Sequence, residues 1–147
     1  MPLLDLVVVS IAADIVPMID ENRVLSFYGL QQLNTSPRIG LKALMDVASR
    51  KNSFSITDVV FSLAPRINAA GRIEHGNKAV ELLVQQDFSI AKEKADYIDN
   101  HNFSRKELDK SITREALAMI VQGANSTVVC NEKWHKGVVG IVASRLI

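Results

Sequence analysis

From Ser89 to Gln122 the chain runs 34 residues without a proline or a glycine, the two residues that most reliably interrupt a helix. Within this run Ala91, Ala95, Ile98, Asn102, Arg105, Leu108, Ile112, Leu117 and Ile120 trace a narrow stripe at helical spacing. The pattern predicts one long helix. At about 1.5 Å per residue it spans about 50 Å, longer than a small domain is wide, and such a helix usually bridges two bodies. One lobe therefore precedes it, up to about Gln86, and another follows. The twenty-odd residues after Ala124 are too few to bury both faces of a sheet, so the second lobe only begins here.

The remaining segments are read from local signals. Leu3 to Val16 is the most apolar stretch and is bracketed by Pro2 and Pro17, which favours a buried helix. It carries Asp5 and Asp14 and falls short of the roughly 20 apolar residues a membrane helix needs. Arg23 to Leu33 reads as a second helix, and Ser36-Pro37 supplies an N-cap and first-turn proline for a third, through Val47. Ser55 caps a short helix carrying Val59, Val60 and Leu63, which is expected to stop at Pro65. Pro65 to Arg72 shows neither helical nor strand periodicity and reads as a loop, followed by a helix from about Asn77 to Val84. Thr127 to Cys130 reads as a strand by its β-branched content, and Lys136 to Ile147 begins a last helix. The expected fold class is α/β, predominantly helical in this chain. Both ends fall in mid-pattern, so a fragment of a longer protein is expected.

A 48% hydrophobic composition excludes disorder, and 17 Lys plus Arg against 16 Asp plus Glu leave a formal charge of +1. No overall basic field announces nucleic acid or an anionic membrane, so any phosphate-binding site is local. The single cysteine, Cys130, excludes an intramolecular disulfide framework and reads as a small buried hydrophobe. No positive charge precedes the first apolar run, as a secretory signal would require. The expectation is a soluble cytoplasmic protein without a membrane partner.

Three places can carry chemistry. Asp14 lies in Ser10-Ile-Ala-Ala-Asp-Ile-Val-Pro17 among apolar neighbours; a buried carboxylate needs a cation or hydrogen-bond donors, so it is either a metal ligand or the residue that ends a helix. Arg66, Asn68 and Arg72 flank the small residues Ala69, Ala70 and Gly71, which suits bidentate recognition of phosphate. Equally, these arginines pair with Glu74 or Asp58 in a surface turn. Trp134-His-Lys-Gly-Val-Val-Gly140 sits where a strand would turn into a helix, where Gly137 can present backbone N–H groups to an anion and His135 can donate to a phosphate. The plainer alternative is that this segment only packs. His75 and His101 read as solvated.

Taken together, the three segments resemble the RecJ family of single-strand-specific exonucleases, within the DHH phosphoesterase superfamily. Ile11-Ala-Ala-Asp-Ile-Val-Pro17 resembles the fourth metal-binding motif, Leu63-Ala-Pro-Arg-Ile-Asn-Ala-Ala-Gly-Arg72 a segment characteristic of that family, and Trp134 to Arg145 the start of the DHH-associated (DHHA1) domain. The resemblance implies residues 1–88 as the C-terminal part of a DHH domain, 89–123 as the long interdomain connecting helix and 124–147 as the truncated start of DHHA1. It further implies a parent that releases 5′-mononucleotides from single-stranded DNA in the 5′→3′ direction, in repair and recombination, with two divalent metals, Mn²⁺ or Mg²⁺. Asp14 is then one metal ligand. Arg66, Asn68 and Arg72 contact DNA or shape its groove, and His135, Gly137 and Arg145 line the groove from the second domain. A helicase or single-strand-binding protein is the implied kind of protein partner.

The Asp-His-His triplet and the earlier aspartate ligands of that superfamily do not occur in these residues. A chain with one ligand of several is expected neither to hold the metals tightly nor to cleave DNA. Two other readings stand beside this one: a DHH phosphoesterase acting on short oligonucleotides or cyclic dinucleotides, and a non-catalytic helical interaction module in which Asp14 is a capping residue.

Overall fold

Helices make up every regular element in the computed structural model of the chain, which describes residues 3–48, 53–73, 76–121, 123 and 126–146. Pro2, Glu74, His75, Gln122, Ala124 and Ile147, which entered the sequence reading, lie outside the described residues. The order is α1 (Leu4–Ala13), α2 (Asp20–Thr35), α3 (Ile39–Ala48), α4 (Ile56–Asp58), a π-helical turn (Val59–Leu63), α5 (Ala64–Ile73), α6 (Asn77–Leu83), α7 (Phe88–Ala118) and α8 (Lys136–Ala143). The chain divides into two compact units, Met1–His101 and Asn102–Ile147, with the division inside α7. No described helix is long and apolar enough to cross a membrane.

In the first unit, α1 to α6 and the opening half of α7 surround one apolar core, in which Val8, Leu33, Leu41, Leu44, Leu63 and Leu82 are fully enclosed. Two glycines set how closely its helices approach. A Cβ on Gly29 of α2 would run into the Leu4 carbonyl oxygen and lie 2.8 Å from Val8 Cβ, and one on Gly40 of α3 would strike the Leu82 carbonyl. Larger residues at either position would force helices apart. Phe54, buried in the linker before α4, is held by the Asn34 side chain, whose Oδ1 accepts its N–H at 2.7 Å while Nδ2 donates to its carbonyl at 2.9 Å.

Asp5 is the charged residue of this core, with 0% relative exposure. Its Oδ2 accepts the Arg38 backbone N–H at 3.0 Å, and the Arg38 guanidinium reaches both carboxylate oxygens, Nε to Oδ2 at 3.1 Å and Nη2 to Oδ1 at 3.2 Å. Arg38 in turn offers its carbonyl to Lys42 N–H at 2.9 Å, opening α3. One side chain on α1 thus fixes where α3 starts. Ser36, expected to cap α3, closes α2 instead, its N–H donating to the Gln32 carbonyl.

The Ser55 cap is present in full, with a reciprocal bond between Ser55 N–H and Asp58 Oδ2 at 2.9 Å. The helix does not stop at Pro65, however. The chain widens into the π-helical turn, Ala64 N–H reaching back to the Val59 carbonyl, and continues as α5 through the segment expected to be a loop. Pro65 falls in the first turn of α5, where a missing N–H costs little.

The long helix is confirmed with shifted ends. Asp87 caps its start by accepting Ile90 N–H at 2.9 Å, and it closes at Ala118 rather than Gln122. Buried positions along it are Ala91, Ala95, Ile98, Asn102, Asp109, Ile112 and Ala116. Alternating steps of four and three carry that stripe onto Asp109 and Ala116, leaving Leu108 and Leu117 exposed, contrary to the apolar stripe read from the sequence. In the second unit, Thr127 to Cys130 forms no strand: a strand needs a partner's backbone groups, and no described segment supplies them. Cys130 is exposed rather than buried, and α8 ends at Ala143 rather than continuing to Ile147. The predominantly helical reading holds.

Replacing Asp5 by Ala strips the Arg38 guanidinium and amide of their acceptor and should lower stability by about 3 kcal/mol. Urea denaturation reads this as a fall in midpoint at unchanged slope.

Candidate nucleic-acid interface

Asp14 stands at the C-cap of α1 with its side chain exposed, not enclosed by its apolar neighbours as the sequence implied. The turn around it is a Schellman closure: Ile15 N–H bonds the Ala12 carbonyl and Val16 N–H the Ile11 carbonyl. The left-handed position of such a turn normally falls to glycine. Here it is Ile15, at φ 52°, a β-branched residue in a region that penalises its Cβ. The strained turn projects Asp14 into solvent at a fixed helix end. Among the described residues no group of three or more His, Cys, Asp or Glu could hold a metal. Asp14 therefore belongs to no such group among the described residues.

Helix α5 separates the three residues that a loop would have gathered. Ala69 and Ala70 face the core, while Asn68 and Arg72, one turn apart, are exposed. Arg66 turns elsewhere: its Nη1 donates to the Ser62 carbonyl at 2.7 Å, and its Nε lies 2.8 Å from Asp99 Oδ1 on α7 as an ion pair without hydrogen-bond alignment. The Arg66 side chain is only 12% exposed. Its partner is thus Asp99, not Asp58; Glu74 lies outside the described residues.

Also in the first unit, Lys94 Nζ lies 2.6 Å from Glu81 Oε2 and Lys78 Nζ 3.7 Å from Oε1. The Lys94 hydrogen bond, reinforced by the charges of both lysines, holds the Glu81 carboxyl below its ordinary range. Its contribution to stability is present at neutral pH and lost as pH falls through that lowered value. His101, read as solvated, packs its ring 4.4 Å from that of Tyr97.

In the second unit, His135 is the N-cap of α8, its Nδ1 accepting Gly137 N–H at 3.1 Å. That N–H is accordingly taken up by the cap rather than offered to an anion. Arg145 Nη2 lies 2.9 Å from Asp109 Oδ2, with the carboxylate 4% and the arginine 50% exposed. Trp134 donates from Nε1 to Glu115 Oε2 at 2.8 Å and, with Cys130, Val139 and Ala143, lines an open groove of about 420 Å³. Asp99 and Asp109 were missed by the sequence reading. The signal for Asp109 was there, in the four-and-three spacing that runs through Asn102 and Arg105.

No protein-family model matches the chain. Over 99% of its length it is 42% identical to the single-stranded-DNA-specific exonuclease RecJ of Bacillus subtilis, and over 98% it is 37% identical to the protein of that name from Haemophilus influenzae. It is homologous to part of RecJ. The crystal structure of RecJ in complex with Mg²⁺ from Thermus thermophilus superimposes on 97% of the chain with a TM-score of 0.90 at 33% identity. A second RecJ structure from that organism is in complex with Mn²⁺. The chain spans 19% and 27% of the two curated RecJ sequences and 23% of the Mg²⁺-bound RecJ chain.

Relief of the left-handed strain beside Asp14 is measurable. Because Ile15 is 79% exposed, Ile15→Gly removes little packing and should raise stability by about 1 kcal/mol, read from urea denaturation.

Proposed function

We propose that the full-length protein containing this chain is a single-stranded-DNA-specific exonuclease, releasing 5′-mononucleotides in the 5′→3′ direction with two divalent metals, Mn²⁺ or Mg²⁺, in cytoplasmic DNA repair and recombination. The observation that carries this reading is the match to RecJ over nearly the whole chain, in sequence and in fold. On this reading residues 1–88 complete a DHH domain, 89–123 form the connector and 124–147 open the DHHA1 domain. Single-stranded DNA is the substrate, and a helicase or a single-strand-binding protein is the kind of partner that would hand it over.

Asp14 is one metal ligand in this scheme, the others lying outside the chain. Its exposure at a fixed helix end suits a ligand that meets the rest of a site from one side. Asn68 and Arg72 face the strand. Arg66, drawn onto Asp99, shapes the groove by holding α5 against α7. His135 and Gly137 set the start of α8, and Arg145, half exposed despite its ion pair, can meet a phosphate from the second domain.

Assay of the full-length protein on long single strands, duplexes and dinucleotides tests the reading; preference for dinucleotides would replace it with the short-oligonucleotide alternative. In the same protein Asp14→Ala should abolish turnover and leave single-strand affinity nearly intact, because the residue is exposed at the end of α1. Arg72→Ala should lower the slope of log affinity against log salt by about 0.7, the share of a single phosphate neutralised by one guanidinium. By contrast Arg66→Ala should leave that slope unchanged and lower the melting temperature, since its charge is already neutralised by Asp99.

A further inference from the structure

We infer that Phe61 is a base-stacking residue for single-stranded DNA, presented by the π-helical turn of the same continuous helical segment that exposes Asn68 and Arg72. Its two flanking apolar positions, Val59 and Leu63, are fully buried, yet Phe61 is 73% exposed. A π-helical turn is uncommon and concentrates at functional sites. This one lies directly before α5, in the stretch that ends at Arg72. Phe61, Asn68 and Arg72 are all exposed on this one continuous helical segment, the last two a single α-helical turn apart. Along the axis Phe61 stands about 10 Å from Asn68 and Asn68 about 6 Å from Arg72.

That order is the chemistry of a single-strand track. An aromatic face takes a base without regard to sequence, and a polar amide with a guanidinium takes the backbone beyond it. A phenyl ring offers no hydrogen bond and no charge, so it cannot contribute to phosphate recognition. What it offers a strand is stacking. The inference rests on the single-stranded-DNA reading and adds a contact to the bases, which none of the charged candidates supplies.

The test uses the full-length protein in the absence of divalent metal, so that strands are bound and not cut. Two probes are compared by fluorescence anisotropy, an oligothymidylate and a strand of equal length with abasic positions throughout. The unmodified protein should prefer the oligothymidylate. Phe61→Leu keeps an apolar side chain and removes the ring; it should weaken oligothymidylate binding by about fivefold or more and leave abasic binding unchanged, so the preference shrinks. Phe61→Trp should retain binding, and its fluorescence, taken as the difference from the unmodified protein, should be quenched by the oligothymidylate and not by the abasic strand. If Phe61→Leu fails to fold, the tryptophan variant decides alone. Unchanged base preference in Phe61→Leu, or an unquenched tryptophan, overturns the inference while the exonuclease reading stands. Failure of the unmodified protein to bind either strand overturns both.

Discussion

A carboxylate without access to water must be met by donors on every side, and Asp5 meets that demand through the amide and guanidinium of Arg38, with the Leu6 N–H donating to Oδ1 at 2.9 Å. The pair fixes the rotation of α1 about its own axis. With that rotation set, Val8 comes against Gly29 of α2 closely enough to exclude any side chain there. It also decides the fate of the other acidic residue in the segment. Nine residues, two and a half turns, separate Asp5 from Asp14, so burying the first turns the second outward. The exposure of Asp14 follows from the burial of Asp5.

This explains what could be read in advance and what could not. Ser55 and Asp58 signal a helix start through atoms three residues apart, and the long helix declares itself through the absence of breakers. Both signals are local and both held. Pro65 carries the same local signal in two opposite situations, as a stop for the helix before it or a start for the helix after it, and only the packing of Ala69 and Ala70 into the core selects the second. With that choice made, a loop able to gather two arginines becomes a helix that parts them. The apolarity of Leu3 to Val16 likewise announced a buried helix without saying which of its two aspartates lay inside.

The near-zero net charge acquires a structural meaning. Arg66 is held by Asp99 and Arg145 by Asp109, each within its own unit, and Lys78 and Lys94 share Glu81. Cations that look free in a sequence are partly neutralised before any ligand arrives. A guanidinium already facing a carboxylate attracts phosphate less but is held in a narrower range of orientations, an advantage where position matters more than affinity. The distinction separates Arg66, drawn inward, from Arg145, whose far side remains in water.

The π-helical turn at Val59–Leu63 has a bearing on how this segment tolerates change in length. Such a turn holds one residue more than the α-helix on either side of it, so deleting one residue within it would close the wide turn to α-helical spacing and set Pro65, which has no N–H, in the interior of a continuous helix. The two halves would also be rotated against each other by about 100°, so that Val59 and Ala70 could no longer face the same core. The extra residue therefore acts as a phase correction between two buried faces, and sequences that share this fold should treat the spacing across it as strictly as they treat the residues themselves.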